Sequence, residues 1–154
     1  MELRLRQLVE AVRMDAAGRL NGENKAEIGA ILADIDKNAE DMCLGEQLHR
    51  EGKLPKRICH CDTKVNNMMF DKDGSILCVI DLERVKACSR GYVRGTKSFL
   101  TPLEKSCLPY AACMFPFMQA VRFFADYINW DTYYKIKYPE HNLVRTRNQM
   151  KLFH

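Results

Sequence analysis

No apolar run in the 154 residues is long enough to cross a bilayer, which takes about 20 such residues in a helix, so no membrane partner is expected. The first residues carry no apolar leader segment either, and the expectation is a cytoplasmic protein. There is no internal repeat, linker or low-complexity stretch, which excludes a solenoid or a tail-like interaction segment. Cys59-His60-Cys61 resembles a metal tract, but no second Cys/His pair stands at zinc-finger spacing. In a strand Cys59 and Cys61 would share one face and His60 the other, so zinc is not expected. The seven cysteines are an odd number without regular spacing and read as reduced core thiols, not as a disulfide framework. A concentrated basic patch is also missing. Net charge is +4 and the only small cluster is Arg145, Arg147 and Lys151, too little to imply nucleic acid and enough only to favour an anionic substrate modestly.

What is present is ordinary globular material. A chain of this length is one domain, 1–154, and can bury roughly 70% of its unfolded surface. Residues 2 to 20 read as a helix with Leu5, Leu8, Val9, Val12 and Ala16 on its apolar stripe, stopped by Asn21-Gly22. A second helix is expected over 23–38, with Ile28, Ile31, Leu32 and Ile35 facing inward, and a third over 39–50, closed by Gly52 and Pro55. A short helix is expected over 91–98. Thr101-Pro102-Leu103-Glu104 is a capping box with proline at the first helical position, opening a helix that ends before Pro109. Residues 110–128 form one long buried helix in which Pro116 predicts a kink or break. A terminal helix covers 142–153, with His141 just before it in a structural role. Nothing marks a stable element over 82–91.

The centre of the chain carries the chemistry. Residues 57–81 read as strand, polar loop, strand 67–70, an Asp73-Gly74 turn and strand 76–80. Such a hairpin sets Asp62, Asn67 and Asp81 at one end. A carboxylate to orient and deprotonate a hydroxyl, and an amide plus a second carboxylate to hold magnesium across nucleotide phosphates, are what phosphoryl transfer requires. The order His60-x-Asp62-x-x-x-x-Asn67, hairpin, Asp81 is the catalytic-loop order of protein-kinase-like enzymes. By spacing alone a plainer reading is equally open: Asp62 and Asn67 satisfy loop backbone groups, and Asp81 ends a strand. Arg122 and Asp126, four apart on one helix, read by position as a salt bridge, and Tyr133 and Tyr134 as packing.

The segment His60-Cys-Asp-Thr-Lys-Val-Asn-Asn-Met-Met-Phe70 through Cys78-Val-Ile-Asp-Leu82 resembles the catalytic segment of the aminoglycoside phosphotransferase/choline kinase family. The similarity is closest to N-acetylhexosamine 1-kinase-like sugar kinases, and Lys97–Pro102, Gln119–Phe123, Asp131–Lys135 and Tyr138–Gln149 resemble the same branch. The resemblance implies an α+β fold: the mostly helical C-terminal lobe of a protein-kinase-like fold with a small catalytic-loop β-hairpin. It implies ATP and Mg2+ as cofactors and a small-molecule sugar as acceptor. Asp62 would be catalytic, Asn67 and Asp81 would hold the metal, Lys64 would neutralise phosphate charge, His60 would brace the loop, and Arg122 and Asp126 would bind substrate. It also implies departures. Against the family pattern, the nucleotide-binding N-terminal lobe is expected to be absent ahead of the first helix and a block to be missing after Glu83, where Glu83–Arg90 runs straight into Gly91-Tyr92. Three outcomes therefore stay open: an active sugar kinase, a non-catalytic remnant of the substrate lobe that does not bind ATP, or a lobe completed by a separate N-terminal-lobe chain.

Overall fold

The computed structural model describes residues 1–56, 68–70, 76–79, 95, 96 and 98–154. The chain divides into two compact units, Met1–Lys53 with Cys107–His154, and Leu54–Ser106. The larger unit is all helical among the described residues: α1 (Glu2–Met14), α2 (Lys25–Met42), α3 (Leu44–Arg50), and later in the chain α5 (Leu108–Ile128) and α6 (His141–Phe153). The smaller unit holds β1 (Met68–Phe70), β2 (Ile76–Val79) and α4 (Pro102–Ser106).

α5 is the axis of the larger unit, and α1, α2 and α6 pack against it. Phe117, Ala120, Val121, Phe124 and Ile128 recur at helical spacing and are all fully buried. They meet Leu8 and Ala11 of α1, Ile28, Ile35 and Met42 of α2, and Leu143 and Met150 of α6 in one cluster. Each large side chain buried there contributes about 1.5–3 kcal/mol. The helix runs unbroken through the buried Pro116, starting two residues before the expected boundary.

Helix boundaries differ from the sequence reading at the end of α1 and between α2 and α3. α1 stops at Met14 instead of near residue 20, because Asp15 turns left-handed at φ 39° and its carboxylate accepts the Arg19 N–H at 2.9 Å. Ala16 is thereby exposed, and Val9 lies 66% exposed outside the true stripe of α1. α2 extends to Met42, and the break falls at Cys43. Tyr110 of α5 pins that break: its hydroxyl donates to Met42 O at 2.7 Å and accepts from Gly45 N at 3.0 Å. A Cβ on Gly45 would lie 3.3 Å from the Tyr110 ring, so the close approach suits glycine. α3 ends as expected at Gly52, whose φ of 71° supports paired bonds from Gly52 N to His49 O and Lys53 N to Leu48 O, a Schellman cap. The cysteine reading is also corrected. Among the described residues Cys43, Cys107 and Cys113 are free thiols, but Cys113 is exposed and the other two are half-buried, so none is a core residue.

In the smaller unit β1 and β2 pair antiparallel, Met68 with Val79, Met69 with Cys78 and Phe70 with Ile76. The shift between the last two pairs is a bulge that gives β2 one extra residue. The capping box forms reciprocally: Thr101 N donates to Glu104 Oε2 at 2.7 Å, and Glu104 N donates to Thr101 Oγ1 at 3.2 Å.

Candidate functional site

Of the site residues expected from the sequence, Asp62, Lys64, Asn67 and Asp81 lie outside the described residues, as do Cys59-His60-Cys61 and the 82–91 junction. Arg122 and Asp126 are described, and they do not form the salt bridge that their spacing suggests. Asp126, 6% exposed, faces the turn that follows α5. Its Oδ1 accepts the Tyr133 N–H at 2.8 Å, and its Oδ2 accepts Tyr134 N at 3.0 Å and Asn142 Nδ2 at 2.9 Å. The carboxylate thus satisfies two loop amides that have no helical partner.

The turn itself closes α5 with a left-handed residue and a single 6→1 backbone bond. Asp131 N reaches back to Asp126 O at 2.8 Å, and Trp130 takes the left-handed position at φ 68°, where glycine is the usual occupant. Asp131 follows at φ 53° and is held from two sides. Arg19 Nη1 pairs with Asp131 Oδ2 at 2.6 Å, and Asn142 Nδ2 donates to Asp131 Oδ1 at 2.8 Å. Arg19 also donates to Tyr127 O and stacks 4.2 Å above the Tyr127 ring. Asn142 is fully buried, its two amide hydrogens divided between the two carboxylates and its oxygen accepting from Arg145. Sequence reasoning missed Arg19 and Asn142 as site-building residues. Their partners are more than ten residues away, and no local spacing rule reports them.

This knot holds Tyr133 and Tyr134 over a cleft of about 360 Å³ between α1 and the end of α5. Arg4, Gln7 and Glu10 of α1 form one wall, Arg122 with Tyr133 and Tyr134 the other. Arg122 donates to Gln119 Oε1 at 3.2 Å and lies 5.9 Å from the Tyr133 ring and 5.5 Å from that of Tyr134. Tyr134 packs on Phe123, and its buried hydroxyl finds no hydrogen-bond partner among the described residues. Burial pushes that phenol above its ordinary pKa, with the Arg122 cation opposing. Chemically the cleft is an aromatic shelf edged with N–H donors, suited to a polar ring-shaped ligand.

A comparison with protein families adds the decisive observation. The model of the phosphotransferase enzyme family matches residues 2–88, more than half of the chain. The chain belongs to the phosphotransferase enzyme family. The matched stretch runs from α1 through β1 and β2 and includes the whole segment from His60 to Asp81. A protein-kinase-like fold goes with membership of this phosphotransferase family, and the helical unit is consistent with its helical lobe. Among the described residues no group of three or more His, Cys, Asp and Glu side chains is placed to hold a metal ion, and no helix is long and apolar enough to cross a membrane.

Proposed function

We propose that the protein is an ATP- and Mg2+-dependent phosphotransferase acting on a sugar hydroxyl, of the N-acetylhexosamine 1-kinase type. The observation that carries the phosphotransferase part of this reading is the family match, which spans all three polar positions of the catalytic-loop order; the sugar acceptor rests on the sequence resemblance alone. The strand register is in keeping with it. Met68 pairs with Val79, Asn67 immediately precedes Met68 in the chain, and Asp81 follows two residues after Val79.

Asp62 accepts the proton of the acceptor hydroxyl and aims the oxygen at the γ-phosphate. Asn67 and Asp81 fit magnesium, because an amide oxygen and a carboxylate are the hard donors this ion takes, with phosphate and water oxygens completing its shell. When bound, the ion neutralises the charge of the nucleotide phosphates. Lys64 contributes a further positive charge to the phosphates, and His60 braces the loop. Arg122 holds the acceptor by its unused N–H groups, and Asp126 serves the acceptor by fixing Tyr133 and Tyr134 beside it.

The test is sugar-dependent ATP turnover by the intact chain and by Asp62→Asn. The expected result is turnover with an N-acetylhexosamine that falls by about 10²–10⁴-fold in the variant while its circular dichroism is unchanged. Turnover that survives the substitution would remove Asp62 from the mechanism.

A further inference from the structure

We infer that the cleft between α1 and the 129–134 turn takes a monosaccharide carrying an anionic group, a carboxylate or a phosphate, and not only a neutral sugar. This deepens the assignment of Arg122 to the acceptor and rests on that reading for the cleft's role, though not for its ligand chemistry.

Three observations converge. Two guanidiniums line one cleft of about 360 Å³, and among the described residues each is hydrogen-bonded only to a neutral amide: Arg4 Nη1 to Gln7 Oε1 at 2.9 Å, and Arg122 Nη1 to Gln119 Oε1 at 3.2 Å. Neither is paired with a carboxylate among the described residues. Of the other described arginines, those at 19, 50 and 147 have carboxylate partners and those at 6, 13 and 145 form no ion pair among the described residues. The Asp126 carboxylate also borders the cleft, but both its oxygens are committed to Tyr133 N, Tyr134 N and Asn142. Glu10 is the remaining acid on the wall and is exposed. Finally, the buried Tyr134 hydroxyl on the same wall is a hydrogen-bonding group without a partner among the described residues. Buried polar groups are nearly always satisfied, so an orphan beside two under-used guanidiniums marks a place for ligand oxygens. The planar fork of an arginine matches a carboxylate or phosphate bidentately, and the Tyr133 ring, 74% exposed, offers a face for the pyranose.

The experiment is calorimetric titration of the intact chain, without nucleotide or magnesium, with D-glucuronate, D-glucose 6-phosphate, D-glucose and inorganic phosphate. At least one anionic sugar is expected to bind about tenfold more tightly than glucose and than inorganic phosphate, and the better of the two identifies the anion. Arg122→Gln and Arg4→Gln should each weaken it about tenfold, Tyr134→Phe by a smaller factor, and Glu10→Gln should strengthen it. Should Arg122→Gln fail to fold, Arg4→Gln and Glu10→Gln carry the test on their own. Equal binding of glucose, equal binding of bare phosphate, or indifference to the folded arginine variants would each overturn the inference. Turnover of a neutral sugar without anionic-sugar binding would overturn it and leave the phosphotransferase reading intact. Anionic-sugar binding without any turnover would support the inference while counting against that reading.

Discussion

Asn142 is one side chain with two amide hydrogens, and each goes to a different carboxylate, Asp126 and Asp131. Removing it leaves two buried acids each short of a donor, with Arg19 able to compensate only Asp131. Asn142→Leu, close in volume, should therefore cost about 2–4 kcal/mol, read as a lower urea midpoint. The neighbouring Trp130 gives the opposite sign. It occupies the left-handed position of a helix cap at φ 68° with its side chain 63% exposed, so it bears the strain of a non-glycine residue with little packing in return. Trp130→Gly should raise stability by about 0.5–1 kcal/mol in the same assay, since Gly52 fills the equivalent position of α3 at φ 71° without a Cβ. A lower midpoint would mean that Trp130 packs more than its exposure indicates. Little of this was readable from the sequence. Asp126 was noticed, but its spacing from Arg122 pointed to an ion pair, whereas the partners that win are backbone amides seven and eight residues on and an asparagine on the next helix. A buried carboxylate gains more from several aligned N–H groups than from one mobile guanidinium at a cleft wall.

At the scale of elements, interiors were legible and ends were not. The apolar stripe of α5 and the Ile28–Ile35 face of α2 follow from periodicity, and the capping box at Thr101 and the Gly52 stop follow from local chemistry. The early end of α1 rests on the left-handed Asp15 and its local bond from Arg19 N, which apolar periodicity does not report, and the break at Cys43 depends on Tyr110 of α5, which no local window contains. The start of α6 shows a further consequence. His141 is its first residue; the Nδ1 atom accepts Lys137 N at 3.1 Å, and the ring stacks on Tyr138. The acceptor must be unprotonated. Partial desolvation, then the Arg145 and Lys137 cations, hold the ring below its ordinary pKa, with Asp131 opposing. As pH falls below about 6.5 the unfolded chain takes up a proton that the folded one resists, so this contribution is present above the ordinary histidine value and is lost on acidification through the folded one. The urea midpoint should therefore drop more between pH 7.5 and 5 for the native chain than for His141→Ala. Equal drops would show that the Lys137–His141 bond does not couple to protonation.

For the whole molecule, family membership and the helical unit stand on separate observations, one from residues 2–88 and one from the packing of α1, α2 and α6 on α5. Family membership was legible because kinase-like chemistry fixes residue types at fixed offsets, a constraint that composition and periodicity do not impose; the catalytic-loop positions themselves lie outside the described residues. The cleft lined by Arg122 and Asp126 takes its other wall from α1, more than a hundred residues earlier in the chain, so no local pattern could outline it. Every catalytic step proposed depends on nucleotide held through Asn67 and Asp81. The most direct measurement is calorimetric titration of the intact chain with ATP in the presence of magnesium, beside the same titration of Asp81→Asn. The account predicts saturable binding in the micromolar range that requires magnesium and is lost in the variant. Absence of binding by the native chain would contradict it and leave a lobe with kinase ancestry and no phosphoryl donor of its own.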